Sequence, residues 1–327
     1  MVKEPKTLQQ AVLYFADPDN CVSYLVARRW PNGVSCPTCG RTDVACIPAR
    51  RVWQCKTRHP KAQFSIKVGT IFEDSPIGLD KWLMAMWMLA NCKNGVSSWE
   101  IHRALKVTQK SAWFMLHRIR LTLGQAPQGK MGGGGGGPVE VDESFIGGEP
   151  KNWHLGKRAK RKRFMEDKPV SEKTAVVGLL DREAREVRAS VVPNVNRETL
   201  QDAILANIEG KSTVYTDAAK AYSNLKALDF IHETVNHMEE YVRGDVHTNG
   251  LENFWALLKR GLKGTYVAVE PFHLDRYVGE QVFRYNNRST RKRPMDDGDR
   301  FSLAVSLIVG KRLTYAELTG KDQARQF

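Results

Sequence analysis

The sequence is poor in cysteine and contains no long hydrophobic run. Six cysteines in 327 residues are too few for a disulfide scaffold. No stretch approaches the ~20 uninterrupted apolar residues that a membrane span needs. The N-terminal residues MVKEPK lead into an amphipathic stretch rather than the apolar core of a signal peptide. We therefore expect a cytoplasmic protein without a membrane association.

Acidic residues are also in short supply relative to basic ones. The chain has 36 Asp and Glu against 50 Lys and Arg, which gives a formal net charge of +14. This excess is compatible with a nucleic-acid partner and equally with a role in solubility, so the placement of the charges has to decide. With 42% hydrophobic and 9% aromatic residues, the chain can build cores rather than remain a disordered basic polymer.

A run of six glycines followed by a proline is the clearest boundary in the sequence, because such a run stabilises neither a helix nor a strand. Short strand-like runs alternate with helical patterns after it, as is typical of an α/β domain. We expect five segments: an N-terminal helix with a cysteine-bearing segment (1–75), a helical region (76–131), a linker (132–138), an α/β domain (139–290) and a basic tail (291–327).

Two pairs of soft metal ligands lie near the N-terminus. Cys36 and Cys39 form a Cys-x-x-Cys-Gly turn, and Cys55 and His59 supply a second pair after a strand-like segment. Zn2+ prefers four S and N ligands in a tetrahedral arrangement. A segment with so small a hydrophobic core needs a bound metal to stabilise its fold. A redox Cys-x-x-Cys pair is the alternative, but the surrounding βαβ pattern is missing. We predict a zinc ribbon, and we interpret the other three cysteines as buried thiols.

Two helical patterns separated by a tight turn follow an apolar helix predicted over 79–92. They are typical of a helix-turn-helix, in which the second helix reads DNA. A plain αα-hairpin has the same pattern and remains the alternative. In the first interpretation, polar residues of the second helix face base edges or phosphates: Gln109, Lys110, Ser111, Arg118 and Arg120.

Two aspartates lie on predicted strands of the α/β domain. Asp142 lies in the middle of an alternating strand, with its side chain on the same face as Glu140. Two further apolar strands, 174–181 and 186–192, follow it and begin to suggest an RNase-H-like sheet. Asp217 ends a short buried strand, where α/β sheets build sites, although an Asp there can also cap the next helix.

A third acid lies on a predicted amphipathic helix within 249–261. Glu252 neighbours the apolar stripe of this helix, and Lys259 follows two turns later. Such a Glu is usually a solvated surface residue. Together with Asp142 and Asp217, however, Glu252 can bind a pair of Mg2+ or Mn2+ ions, which prefer oxygen ligands. Two such ions support in-line attack on phosphorus, and Lys259 would then contact a DNA phosphate.

A basic insertion follows the first aspartate and is expected to form an exposed arm or loop. Its contacts with phosphates should weaken as salt increases. The charged residues of this arm are Lys157, Arg158, Lys160, Arg161, Lys162 and Arg163.

Together these motifs resemble the DDE-type transposases of bacterial and archaeal insertion sequences. They are most similar to the group in which a zinc ribbon and a helical DNA-binding region precede an RNase-H-like catalytic domain. The resemblance covers the chain from Cys36 to about Arg288. Besides the ribbon, it depends on GTIFEDS (69–75), VDESFIGG (141–148), YTD (215–217) and NGLENFWALLKRG (249–261).

The resemblance implies catalytic acids at Asp142, Asp217 and Glu252, with Lys259 as the downstream basic residue. It also implies cleavage of double-stranded DNA at terminal inverted repeats to free a 3′-OH, and attack of that hydroxyl on target DNA. Pairing of two ends implies at least a homodimer on DNA, at the nucleoid.

Two positions depart from the pattern of this family, and two other functions remain open. The family commonly closes the ribbon with Cys where this chain has His59. Some relatives have Asn at the third catalytic position, and Asn249 and Asn253 flank Glu252 here. The alternatives are a non-catalytic DNA-binding regulator and an RNase-H-like nuclease without strand transfer.

Overall fold

The chain divides into two compact units. The computed structural model describes residues 4–124, 129–133, 137–147, 173–217, 222, 225–235 and 246–321. The first unit comprises residues 1–125 and 287–327, and the second comprises residues 126–286. Within the described part of the chain, none of the helices combines the length and apolar character that crossing a bilayer requires.

The elements are numbered in chain order. The helices are α1 (Leu8–Phe15), α2 (Pro18–Arg29), α3 (Leu79–Asn91), α4 (Ser98–Leu105), α5 (Gln109–Leu123), α6 (Arg197–Asn207), α7 (Asn249–Gly261), α8 (Pro271–Asn286), α9 (Asp297–Ser306) and α10 (Tyr315–Leu318). The strands are β1 (Val44–Ile47), β2 (Val52–Cys55), β3 (Gln63–Ser65), β4 (Val139–Ile146), β5 (Thr174–Asp181), β6 (Glu186–Val192), β7 (Thr213–Asp217) and β8 (Ile231–Val235).

The first unit combines a small antiparallel sheet, in the order β1-β2-β3, with a helical core. Helix α3 lies at the centre of that core, because apolar side chains cover most of its circumference. Helix α9 packs against α3 and α2. The ring of Phe301 on α9 is fully buried and lies 4.9 Å from the ring of Trp87 on α3, centroid to centroid.

The prediction that 291–327 is a basic tail is therefore wrong. It contains α9 and α10 and belongs to the first unit. Its apolar residues complete the core that the N-terminal helices leave open, which the charge-rich sequence before α9 does not reveal. The capping box of Asp296 and Asp299 starts α9 in the way that this motif ordinarily starts a helix.

The second unit is built on a five-stranded mixed sheet in the order β6-β5-β4-β7-β8. The first three strands along the chain are antiparallel, and β7 and β8 run parallel to β4. Apolar side chains cover both faces of the sheet. One cluster joins Val139 and Val141 to α6, and the other joins Val176 and Leu180 to α7 and α8. The predicted α/β class is confirmed: a five-stranded mixed sheet flanked by helices, with a small ribbon sheet and a helical region before it.

The glycine run has a different role from the one expected. The two units meet along the chain at residues 125 and 126, before the predicted linker 132–138. The amide of Gly132 donates to Asp181 at 3.1 Å, and the amide of Gly133 donates to Ser212 at 2.9 Å. Gly132 has a φ of +76°, and a Cβ there would clash with Oγ of Ser212. The start of the run is therefore fixed on the second unit rather than acting as a free connection.

Candidate catalytic and metal-binding sites

Asp142 and Asp217 lie on adjacent parallel strands. Strand β4 pairs with β7 through Val139 with Val214 and Glu140 with Tyr215. Each aspartate lies two residues beyond the second pair. Because side chains alternate along a strand, both aspartates project from the face that carries Glu140. The structure thus brings together two acids that are 75 residues apart in the sequence.

Helix α7 adds the third acid. Glu252 lies in its first turn and is exposed to solvent. The apolar side of the helix, which includes Phe254 and Trp255, packs on the sheet. The indole Nε1 of Trp255 donates a hydrogen bond of 2.9 Å to Oδ2 of Asp142. One helical turn of α7 therefore contacts the strand that carries Asp142.

The electrostatics of Asp142 show that the other two acids lie close enough to act on it. Burial is the main cause that raises the pKa of Asp142, and the charges of Asp217 and Glu252 raise it further. Hydrogen bonds from the Trp255 indole and the Glu143 backbone oppose this shift. Like charges held near one another are the arrangement that a bound cation would stabilise.

Glu143 is a further acid near these three, and it follows Asp142 on strand β4. Burial raises the pKa of Glu143 to about 7 although the Tyr222 hydroxyl donates a hydrogen bond to it, and the charges of Asp217 and Asp142 add to the increase. Tyr222 is fully buried, and its pKa is raised, mainly by burial. Glu143 projects from the opposite face of β4, so it responds to the charges of both aspartates without joining them on their face, and the sequence pattern alone assigned it no role.

Glu140 fixes the position of α7 on the sheet. Its carboxylate is 1% exposed and accepts a 3.0 Å hydrogen bond from the backbone amide of Leu251 in the first turn of α7. Arg182, in the turn between β5 and β6, donates from Nε to the other oxygen of Glu140 at 2.6 Å. The strand alternation placed Glu140 beside Asp142, but nothing in the sequence paired it with a helix start more than 100 residues away.

The predicted zinc ligands converge in the first unit. Cys36, Cys39, Cys55 and His59 each offer a ligand atom, and these four atoms all lie within 4.8 Å of one another. Among the described residues, this is the one group of three or more such side chains found close enough to share a metal ion. Strand β2 ends at Cys55, and the turn after Cys36 carries Cys39.

The distances within this group fit zinc. With Zn–S bonds of about 2.3 Å at a tetrahedral angle, two sulfur ligands should lie about 3.8 Å apart. The Sγ atoms of Cys39 and Cys55 are 3.7 Å apart, and Sγ of Cys36 is 3.4 Å from Nε2 of His59. Although burial opposes it, hydrogen bonds from the backbone of Cys39 and Thr38 lower the pKa of Cys36 to about 6, which favours the thiolate that binds metal.

The remaining cysteines differ from the expectation that all are buried. Cys21 is buried, and its thiol donates to the carbonyl of Phe15 at 3.2 Å. Cys92 is half-buried, and Cys46 is exposed on β1, whose central residues face solvent. The prediction is therefore wrong for Cys46, because the ribbon sheet is too small to cover that strand.

The prediction that Arg118 and Arg120 contact DNA is wrong, because both side chains are buried. Arg118 and Arg120 are 6% and 1% exposed. Nε of Arg118 donates to the carbonyl of Leu313 at 2.9 Å, and Nη1 donates to the carbonyl of Ile71 at 2.9 Å. Both arginines are buried because this part of α5 is covered all round by the first unit, so neither faces DNA.

The start of α5 remains accessible. Lys110 is exposed, and its Nζ lies 4.6 Å from the centroid of the Tyr315 ring. Gln109 donates to the hydroxyl of Ser98 at 2.9 Å, and Thr108 caps the helix through the amide of Ser111. The helix pair α4 and α5 with its tight turn is present as predicted, and Lys106 closes α4 in the left-handed conformation.

Lys259 is exposed near the end of α7. The basic arm predicted at Lys157, Arg158, Lys160, Arg161, Lys162 and Arg163 lies outside the described residues.

Comparisons with known proteins agree with this arrangement. The model of the ISXO2-like transposase domain matches residues 135–286, and the model of the transposase zinc-ribbon domain matches residues 16–57. The ribbon match ends before His59, which the structure brings to the other three ligands.

Two relatives are similar over different lengths. A protein in transposable element ISH50 of Halobacterium salinarum is 30% identical over 258 residues, which cover 76% of this chain and 84% of the relative. A transposase-like protein of Haemophilus influenzae is 34% identical over 97 residues, which cover 30% of this chain and 78% of the relative.

Solved structures give a weaker likeness. The catalytic core domain of BIV integrase has a TM-score of 0.33 and 12% identity, covering 59% of this chain and all of that one. A chain of the simian T-cell lymphotropic virus intasome has a TM-score of 0.32 and 14% identity, covering 67% and 74%. The assignment does not depend on either.

The ribbon, the mixed sheet and the matched domains define the chain as a transposase of an insertion sequence. It belongs to the ISXO2-like transposase family and carries the zinc-ribbon domain of that family. This class comprises DNA-binding and DNA-cleaving proteins, and Zn2+ is supported for the ribbon by both the match and the ligand geometry.

Proposed function

We propose that Asp142, Asp217 and Glu252 are the catalytic acids of this transposase. In this proposal the enzyme binds the terminal inverted repeats of its element, cleaves a phosphodiester bond at each end, and joins the freed 3′-OH to target DNA. The observation that carries the proposal is the parallel register of β4 and β7, which aligns two aspartates beside the helix that carries Glu252.

The donor set fits divalent cations. Three carboxylates, two of which raise the pKa of the third through their charges, offer the oxygen ligands that Mg2+ and Mn2+ prefer. When bound, such ions supply activation of the attacking oxygen and stabilisation of the leaving oxygen. Asp142, Asp217 and Glu252 would hold them. Burial is the main cause of the raised pKa of Asp142, and the smaller contribution from the charges of Asp217 and Glu252 supports this fit, because a cation would offset that repulsion.

The residues around the acids would orient the reaction. The indole of Trp255 and the backbone of Glu143 hold the Asp142 carboxylate. Lys259, exposed two turns after Glu252, would bind a phosphate of the DNA end. Both chemical steps are phosphoryl transfers, so one set of acids serves for cleavage and for joining.

We assign end recognition to the first unit and to the basic arm. Lys110, with Gln109 and Ser111, lies at the accessible start of α5, where a helix-turn-helix contacts DNA. The six basic residues of the arm at 157–163 would add phosphate contacts. Because two ends are joined in one reaction, we propose at least a homodimer on DNA, acting in the cytoplasm at the nucleoid.

The test is an incubation of the full chain with labelled element ends and Mg2+ or Mn2+. We expect nicking that frees 3′ ends and joining of those ends to target DNA. Asp142→Ala and Asp217→Ala should abolish both steps while leaving end binding intact. Asp202→Ala, which removes an exposed acid of α6, is the matched control and should retain both.

Each alternative function has its own outcome. Cleavage without joining would indicate a nuclease, and end binding without cleavage by the unaltered chain would indicate a regulator. Full activity of both Asp142→Ala and Asp217→Ala would reject the catalytic assignment.

A further inference from the structure

The hydrogen bond between Trp255 and Asp142 joins a largely buried aromatic side chain to a proposed catalytic acid. Trp255 is 5% exposed and lies in the apolar cluster of α7, α8 and the sheet. A buried indole N–H needs an acceptor, and a backbone carbonyl or a neutral side chain would satisfy it equally. Here its acceptor is Oδ2 of Asp142, at 2.9 Å.

Gly178 provides the space that this contact requires. It lies directly opposite Asp142 in the antiparallel pair of β4 and β5. A Cβ at Gly178 would lie 2.6 Å from Cζ2 and 2.8 Å from Cη2 of Trp255, closer than van der Waals contact allows. Glycine weakens the interior of a strand, and its presence there commonly marks the close approach of another group. The indole occupies the place of the missing side chain.

A second contact one turn earlier fixes the same helix. The amide of Leu251 donates to Oε2 of Glu140 at 3.0 Å, four residues before Trp255 and two residues before Asp142 on its strand. Two successive turns of α7 are therefore bonded to two carboxylates on one face of β4. Glu252 lies between Leu251 and Trp255 on α7, so these two hydrogen bonds also fix the position of its backbone.

We propose that Trp255 is a positioning residue that holds Oδ2 of Asp142, fixing the carboxylate so that its other oxygen is available to a divalent cation, and that Gly178 makes this contact possible. The inference rests on the proposed function, because it presumes that Asp142 binds the cation. Partners of a metal ligand orient it, and their loss typically costs about 10- to 100-fold in metal affinity or activity.

Two variants disturb this contact in different ways. Trp255→Phe removes the donor and keeps an aromatic ring in the cluster. Gly178→Ala keeps the donor and adds a methyl group where the ring lies. We expect each to raise the Kd for Mn2+ by about tenfold, measured by electron paramagnetic resonance titration of the full chain without DNA. The Mg2+ concentration for half-maximal cleavage should rise by a similar factor.

The double variant tests whether both changes act through one contact. Once the donor is absent, the added methyl group has no hydrogen bond to displace. We therefore expect the double variant to bind Mn2+ about as weakly as Trp255→Phe alone. Its Kd should not rise by the product of the two single-variant increases.

Phe254→Leu is the matched control for packing. Phe254 is fully buried in the same cluster on the same helix, and the residue adjacent to it supplies the indole. This variant should lower the melting temperature while retaining the affinity for Mn2+. An equal loss of Mn2+ affinity in Phe254→Leu would overturn the inference, because packing alone would then explain the effect.

Wild-type Mn2+ affinity and Mg2+ dependence in Trp255→Phe would also overturn it, and the proposed function would stand if Asp142→Ala still abolished cleavage. Normal cleavage by Asp142→Ala would instead reject the proposed function itself. The two failures are therefore distinguishable in one set of proteins.

Discussion

The carboxylate of Glu140 accepts the backbone amide of Leu251 at 3.0 Å and so connects the central strand of the sheet to the start of α7. This oxygen lies at the positive end of a helix, where a carboxylate is favourable. A Cβ at Gly250 would lie 2.9 Å from the same oxygen, so a small residue is needed at this approach. The other oxygen accepts from Arg182, which also donates to the carbonyl of His247 at 2.7 Å.

This connection predicts that Glu140 is a stability residue of the second unit. Glu140→Ala would leave Arg182 and the Leu251 amide without their buried acceptor, which should cost about 3 kcal/mol of unfolding free energy. Denaturant unfolding of the full chain measures it. Asp202→Ala, which removes an exposed acid of α6, should change stability by less than about 0.5 kcal/mol. Equal stability of the two variants would contradict the role given to Glu140.

The ribbon should lose its metal when its ligands are changed. Cys36→Ser and Cys55→Ser should each lower the zinc content well below the value of about one ion per chain that four ligands imply. His59→Ala tests the ligand that lies outside the family match. Cys46→Ser is the control, because this thiol is exposed and outside the quartet. Elemental analysis of the purified proteins measures the outcome, and retention of zinc in Cys36→Ser and Cys55→Ser would rule out the ribbon site.

Burial separates the roles of two basic residues of α5. Arg118→Ala should lower the melting temperature, because three backbone carbonyls, those of Leu313, Ile71 and Glu73, lose their donor. Lys110→Ala should leave the melting temperature unchanged and weaken binding to element ends. The slope of log affinity against log salt should fall by about 1 for Lys110→Ala. An unaltered salt slope would remove Lys110 from the DNA interface.

The third catalytic position can be tested against its neighbours. A lost carboxylate ligand removes several kcal/mol of transition-state stabilisation, and each 1.36 kcal/mol is tenfold in rate. We expect Glu252→Gln to lower the cleavage rate by about 100-fold or more. Asn249→Ala and Asn253→Ala should cleave at near wild-type rates, as should Glu198→Gln, an exposed control on α6. Loss of cleavage in an asparagine variant alone would move the third ligand to that residue.

Much of the fold could be predicted from local patterns. The apolar helix α3, the helix pair α4 and α5, and the three antiparallel strands of the second unit follow the periodicity of their sequences. Ligand spacing likewise predicted the Cys36, Cys39, Cys55 and His59 group that the structure brings together. These features are local, because the residues that define each of them lie within a few turns or strands of one another.

Burial could not be predicted in the same way. Arginine on a helix of this kind commonly contacts DNA, but the side chains of Arg118 and Arg120 are buried. The basic sequence before α9 suggested a tail, yet Phe301 completes the core beside Trp87. In both cases the deciding partners are distant in sequence, and a single chain does not indicate which distant apolar surfaces will meet.

The order of residues along the chain sets which groups are present: soft ligands at ribbon spacing, acids at strand and helix positions, and a basic excess suited to DNA. How those groups are held depends on the folded arrangement. The parallel register of β4 and β7 aligns Asp142 with Asp217, and the missing side chain of Gly178 admits the indole of Trp255 to Asp142. Such contacts arise from packing between remote segments, whereas residue type and spacing are properties of the chain alone.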